Sequence, residues 1–165
     1  MFSVGILTIS DGVSRGERQD GSGQAIRDII FGTDGKVVKY DIVPDEADII
    51  ARKMAEWADS GEIDVILTTG GTGLSARDVT PEATLSIIDR AVPGITEMMR
   101  VKTFDKTKMA MLSRAVAGMR KRCLIVNLPG SPRAVSECLE VILPAIPHAV
   151  QIIKGEIMLH TGKGN

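Results

Sequence analysis

The segment Val65-Ile66-Leu67-Thr68-Thr69 runs directly into Gly70-Gly71-Thr72-Gly73. An apolar, β-branched run of this kind reads as a buried strand, and the glycines end it where the backbone turns sharply. Thr80-Pro81 then reads as a helix N-cap followed by proline at the first helical position. The long loop between them holds bare amides, hydroxyls, Arg77 and Asp78. Such a mixture suits a phosphate-bearing ligand with a metal ion better than it suits packing.

The same alternation runs the length of the chain. Strands are expected at Phe2 to Ile9, Val37 to Val43, Asp64 to Thr69 and Cys123 to Leu128, with a short edge strand at Ala115 to Gly118. Helices are expected at Gly23 to Phe31, Glu46 to Ala58, Pro81 to about Arg90 and Gly94 to Met99, where apolar residues recur at the helical period. Ser131-Pro132 opens a last helix that should bend at Pro144 or Pro147. Alternating strands and helices imply an α/β fold in three layers, a mainly parallel sheet flanked by helices on both faces. One domain over 1–155 and a loose C-terminal tail over 156–165 complete this reading.

Charge and composition narrow the function. A net charge of −1 gives no basic field for nucleic acid, and 3% aromatics are too few for base stacking. No apolar stretch reads as a membrane span and no leader is evident, so a cytoplasmic protein without membrane or nucleic-acid partners is expected. Cys123 and Cys138 read as buried thiols in a reducing compartment. Met98, Met99, Met109, Met111 and Met119 are expected in the core or in subunit contacts.

Parallel strands end on one edge of their sheet, where ligands of such folds bind. Ser10-Asp11, Asp45, Gly70 to Asp78 and Asn127 to Ser131 each follow a strand and should converge there. Ordinary explanations compete. Ser10-Asp11-Gly12 is commonly a mere turn, Asp45 stands where an N-cap belongs, and Ser131 fits a cap better than a contact. Asn127 needs buried partners whatever its role. Asp78, beside Arg77 in a glycine loop, is better explained by function.

Several chemistries fall away. Gly71-Thr72-Gly73-Leu74-Ser75-Ala76 fits a dinucleotide fingerprint, but the helix starts too late and the ribose-binding acid is missing. No phosphate-loop pattern with Gly-Lys-Ser/Thr occurs. His148 and His160 lie outside the polar edge, against a catalytic triad or a histidine-ligated zinc. Arg120-Lys121-Arg122 is a solvated patch or an attractor of an anionic substrate.

Taken together, Thr68 to Gly73 with Arg77-Asp78-Val79-Thr80-Pro81-Glu82-Ala83-Thr84 resembles the signature of the molybdopterin-binding MogA/MoaB family, which includes a domain of gephyrin. Ile9-Ser10-Asp11, Val43-Pro44-Asp45-Glu46, Leu112-Ser113-Arg114 and Asn127-Leu128-Pro129-Gly130-Ser131-Pro132 extend the likeness from about Val4 to Gly155. Ala76 stands where many members carry proline. The resemblance implies adenylyl transfer from ATP to molybdopterin with Mg²⁺, releasing pyrophosphate, in molybdenum cofactor biosynthesis. A non-catalytic molybdopterin-binding or scaffolding homologue is the alternative. The resemblance assigns Asp45 and Asp78 to catalysis and the metal. It assigns Gly70, Gly71, Thr72, Gly73, Asn127, Pro129, Gly130 and Ser131 to phosphate and nucleotide. Ser10, Asp11, Thr80, Glu82, Ser113 and Arg114 fall to the pterin substrate. It further implies a homotrimer and a molybdenum-insertion enzyme that accepts the product.

Overall fold

A computed structural model describes residues 1–156; the tail expected at 156–165 lies, from 157 on, outside the described residues. The chain opens with β1 (Phe2–Ile9), a short α1 (Asp11–Ser14), α2 (Gly21–Phe31), β2 (Gly35–Val43), α3 (Ala47–Asp59) and β3 (Val65–Thr69). It continues through α4 (Thr80–Leu85), β4 (Arg90–Ala91), α5 (Pro93–Thr103), β5 (Ala117–Arg120), β6 (Cys123–Leu128), α6 (Pro132–Ile142) and α7 (Ile146–Lys154).

The strands form one six-stranded sheet in the order β2-β1-β3-β6-β5-β4. β2, β1, β3 and β6 are parallel, β5 runs antiparallel to β6, and the edge strand β4 is antiparallel to β5. On one face Ile26 and Ile30 of α2, Met99 of α5 and Leu139 of α6 pack against Val4, Ile6, Leu67 and Leu124. On the other, Ile50, Met54 and Trp57 of α3 and Ala83 of α4 pack against Leu7, Ile66 and Ile125. Burial on both faces explains why β3 and β6 read as unbroken apolar runs. This is the three-layer, mainly parallel α/β architecture expected from the alternation.

β1 pairs with β2 on one side and β3 on the other, so the strand order reverses there. A crevice opens at the carboxyl ends of the strands at such a point. The site lies there.

Local departures have tertiary causes. α4 ends at Leu85 rather than near Arg90, because Asp89 to Ala91 leave the helix to bond β5: Asp89 N donates to Met119 O at 2.7 Å and Arg90 pairs with Met119. β5 is therefore an inner strand covering Ala117–Arg120, and β4 is the edge. α5 runs on to Thr103. Val79, not Thr80, is the N-cap of α4, and the Thr80 hydroxyl instead donates to Gly70 O at 2.8 Å. The expected bend of the last helix is a 3-10 turn at Leu143–Ala145, around Pro144. By length and composition the helical run Pro132–Lys154 could cross a membrane, contrary to the reading from sequence. Here Val135, Leu139, Ile142, Ile146 and Val150 are its buried stripe in the core.

Both cysteines are buried and free, and burial pushes Cys123 up to about 12 and Cys138 up to about 11. Arg120-Lys121-Arg122 forms the β5–β6 turn, at the opposite end of β6 from the crevice. Arg120 forks onto Asp59 at 2.9 and 2.7 Å, and that hydrogen bond, with Lys121, holds Asp59 down at about 2. Arg120 and Lys121 thus clamp the end of α3, while Arg122 donates to Lys154 O at 2.5 Å.

Candidate active site

Glycines at 70 and 71 make the crevice possible. Both hold positive φ, 100° and 66°, a region that other residues enter only with strain. Gly70 N donates to Leu128 O at 3.2 Å and Thr80 N to Gly71 O at 3.1 Å, so the bend is pinned to β6 behind and α4 below. Among the described residues, the amides of Gly71, Thr72 and Gly73 donate to no protein acceptor. Those amides are open to an acceptor from outside the loop, whereas the Gly70 amide is spent on the fold.

The loop is the common wall of two clefts. Gly70, Gly71 and Asp78 line a polar cleft of about 380 Å³ that also receives Ser10 and Asp45. Thr72, Gly73 and Leu74 line a wider, more apolar cleft of about 500 Å³ with Met99 and Leu112. The segment after β6 is divided in the same way: Gly130 borders the polar cleft, Pro129 and Ser131 the wider one. Two ligands could thus meet across one glycine loop.

The two acids bracket that loop. A Cβ built on Gly71 would lie 3.3 Å from Asp45 Oδ1, and one on Gly73 would lie 2.8 Å from Asp78 Oδ2. Burial raises the Asp45 carboxyl above its usual range, and the charges of Asp11 and Asp78 add to the shift. A cation between Asp45 and Asp78 would reverse that cost. Asp78 accepts from Ser75 N at 2.9 Å and so closes the loop's own turn.

Asp45 is not an N-cap. Glu46 holds that position without a side-chain bond, and the Asp45 carboxylate reaches across to Asp11 N at 2.9 Å. Asp11 returns the contact by accepting from Asp45 N at 3.0 Å, and Arg77 grips Asp11 through Nε and Nη2 and Glu46 at 3.0 Å. These hydrogen bonds, first from the Asp45 amide and then from Arg77, keep the Asp11 carboxyl below its usual range. Asp11 is thus a tie between β1, β2 and the loop, not a lining residue.

Of the residues carried over by resemblance, Ser10, Asp45, Gly70, Gly71, Asp78 and Gly130 border the polar cleft. Thr72, Gly73, Ser113, Pro129 and Ser131 border the wider one. Ser131 also caps α6, accepting from Ala134 N at 3.2 Å. Four others line neither cleft. Thr80 and Asn127 are fully buried, and the Asn127 amide donates to Thr68 Oγ1 at 3.0 Å and Thr84 Oγ1 at 2.9 Å. Arg114 and Glu82 pair with each other, and Arg114 also binds the loop carbonyls of Gly73 and Asp78. Asn127 and Thr80 are thus engaged in the scaffold behind the clefts, while Glu82 and Arg114 are paired at a partly exposed position beside the loop.

Sequence reading overlooked Arg18 and Asp20 of the polar cleft and Arg100 of the wider one. Asp20 is the N-cap of α2 and accepts from Gly23 N at 2.8 Å and from the hydroxyls of Thr8 and Tyr40. An Asp before a run of small residues is a cap signal, missed because the helix start was set at Gly23. Arg18 donates to Ser10 Oγ at 3.1 Å, with no sequence pattern to announce it.

Comparison with known proteins meets this geometry. The pattern of a family described as a probable molybdopterin binding domain matches residues 5–148. The molybdopterin adenylyltransferase of Helicobacter pylori strain J99 is 41% identical over 157 residues, covering 94% of this chain and 89% of that protein. Its namesake from Escherichia coli K12 is 36% identical, covering 92% of this chain and 85% of that one. Among solved structures, the molybdopterin biosynthesis enzyme MoaB of Thermus thermophilus superposes with a TM-score of 0.89 at 53% identity, over 94% of this chain and 98% of that one.

Proposed function

The chain belongs to the molybdopterin-binding MogA/MoaB family, and on that premise we propose that it is a molybdopterin adenylyltransferase of molybdenum cofactor biosynthesis. It transfers AMP from ATP to the terminal phosphate of molybdopterin. A phosphate oxygen of molybdopterin bonds to the α-phosphorus of ATP, the bond to the β-phosphate oxygen breaks, and pyrophosphate leaves with the electron pair.

One observation carries this reading: Asp45 and Asp78 line a single cleft beside amides that have no protein acceptor. Carboxylates repel a phosphate unless a cation lies between them, so a protein that only bound a phosphate would do better without the pair. This weighs against the alternative of a homologue that binds without turnover.

The donor set suits Mg²⁺, which takes one or two carboxylates and completes its shell with phosphate oxygens and water. Asp45 and Asp78 would hold it. When bound, it supplies charge neutralisation on the transferred phosphoryl group. The remaining work is positioning. The amides of Gly71, Thr72 and Gly73 would donate to phosphate oxygens, and Ser10 and Ser113 would orient the two ligands from opposite clefts. Because the clefts share a wall, the two substrates can present their phosphates to each other at the loop.

The finer setting belongs to the same proposal: a cytoplasmic enzyme that hands its product to a molybdenum-insertion enzyme. Met99 is a core residue, whereas Met98, Val101, Met109 and Met111 are exposed, and a homotrimer that would cover such side chains belongs to the same proposal. The decisive experiment mixes purified protein, molybdopterin, ATP and Mg²⁺. Pyrophosphate and an adenylylated pterin are expected; molybdopterin bound without pyrophosphate release would replace the enzyme by the binding homologue.

A further inference from the structure

We infer that Arg114, which borders neither cleft, is the positioning residue that sets Asp78 for adenylyl transfer. The inference rests on the proposed activity and goes beyond it by giving one residue a specific task. Three groups of Arg114 hold the glycine loop. Its amide donates to Thr72 O at 2.9 Å, Nε to Gly73 O at 2.8 Å and Nη2 to Asp78 O at 2.6 Å. Nη1 pairs with Glu82 in the first turn of α4. One planar fork therefore grips both ends of the segment 73–78 and anchors them to a helix.

Between those ends the loop has little else to shape it. Ser75 N donates to the Asp78 carboxylate at 2.9 Å and Asp78 N to Ser75 O at 3.0 Å, while Leu74 to Arg77 are exposed. Arg77 ties the loop from the solvent side by a fork onto Asp11, but it holds a single residue of the turn, whereas Arg114 holds both of its ends. The Arg114 side chain is 34% exposed, and its acceptors include two backbone carbonyls that cannot turn away independently of the loop. Where the Asp78 carboxylate points is thus decided by where Arg114 holds the carbonyls of Gly73 and Asp78. Its neighbour Ser113 lines the wider cleft, so the segment that borders one ligand also sets the acid facing the other.

Lysine keeps the charge but not the fork, since an ammonium cannot serve these directions at once. In Arg114→Lys, kcat should fall about 10²-fold, the loss that a ~1 Å misplacement of reacting groups brings, with KM for molybdopterin within about threefold of wild type. Hydrogen exchange, read on the unliganded protein, should quicken about tenfold or more at the Ser75 and Asp78 amides. Added ethylguanidinium should restore part of kcat to Arg114→Ala. A raised KM with kcat preserved would make Arg114 a substrate contact and overturn the inference, as would wild-type kcat with wild-type exchange. Should both variants fail to fold, Glu82→Ala, which removes the acceptor of Arg114 Nη1, carries the same test: lower kcat with faster exchange at Ser75 supports it, wild-type behaviour refutes it. A wild-type protein that makes no adenylylated molybdopterin would sink the activity, yet the exchange measurement would still decide whether Arg114 holds the Asp78 turn.

Discussion

Asp11 and Asp45 hold each other by their backbones: the amide of Asp11 donates to the Asp45 carboxylate at 2.9 Å, and the amide of Asp45 to the Asp11 carboxylate at 3.0 Å. Two like charges are brought together because each satisfies the other chain end's free N–H, and Arg77 offsets the repulsion from outside. The arrangement joins the ends of β1 and β2 and aims one carboxylate of the pair into the polar cleft. It also leaves Asp45 harder to ionise than an ordinary carboxyl, chiefly through burial.

That cost predicts a gain in stability when the charge is removed. The native state binds the Asp45 proton more tightly than the unfolded chain does, so ionising it opposes folding at any pH above its raised pKa. Asp45→Asn keeps an acceptor for Asp11 N and should melt higher than wild type at pH 7, by less than about 4 °C because the group is partly solvated. The difference should vanish as pH falls below the ordinary value of 3.8, where both states are protonated. The same variant should lose AMP transfer. Melting curves from pH 3 to 8, on a scale set by ordinary carboxyl titration, check it.

Asp78→Asn separates catalysis from binding. The side chain closes only an exposed turn through Ser75 N, which Asn can also accept, so the melting point should stay within about 2 °C of wild type. If Asp78 is one of the two carboxylates that hold the proposed Mg²⁺, its loss should lower kcat by about 10²-fold or more. Calorimetry of molybdopterin without ATP should give wild-type affinity. A variant that turns over normally would remove Asp78 from the mechanism.

How much of this was legible beforehand depends on range. The bounds of β1 and β6 and the cap at Ser131 follow from neighbours in sequence, and the bend expected at Pro144 or Pro147 falls at Pro144. That Asp45 and Asp78 share a rim followed from parallel strands ending on one edge. What was missed turns on partners far along the chain. The end of α4 is decided by β5, the Thr80 hydroxyl by the Gly70 carbonyl, and Arg114 by carbonyls some forty residues earlier. A motif reports that such residues matter together; it does not say whether they hold a ligand or hold the loop that holds it.

Asn127 tests that distinction directly. Its side chain, itself fully buried, donates to Thr68 and Thr84 and accepts from the part-buried Val116 N at 3.1 Å. Asn127→Ala would leave the Val116 amide and the Thr68 hydroxyl without this partner, while the Thr84 hydroxyl keeps its bond to Thr80 O, at a cost of about 2–3 kcal/mol. Urea unfolding should register that loss, while the folded fraction should keep its KM for ATP and molybdopterin. Full stability with a raised KM for ATP would return Asn127 to the nucleotide site.

The two ends of the glycine bend should respond differently to one added methyl. At Gly70, φ is 100° and a Cβ would lie 2.2 Å from the carbonyl oxygen of Ile9, which is fixed backbone at the end of β1. Gly70→Ala must therefore either shift β1 or fail to fold, at a cost of about 3 kcal/mol or more. At Gly73 the Cβ would meet only the Asp78 carboxylate, at 2.8 Å, the movable end of a side chain. Gly73→Ala should fold with a loss below about 1 kcal/mol, yet push that carboxylate out of line and lower kcat by about 10²-fold. Thermal melts and initial rates measured together on the two variants check this, and a Gly73→Ala protein as active as wild type would mean that the position of Asp78 does not limit the reaction.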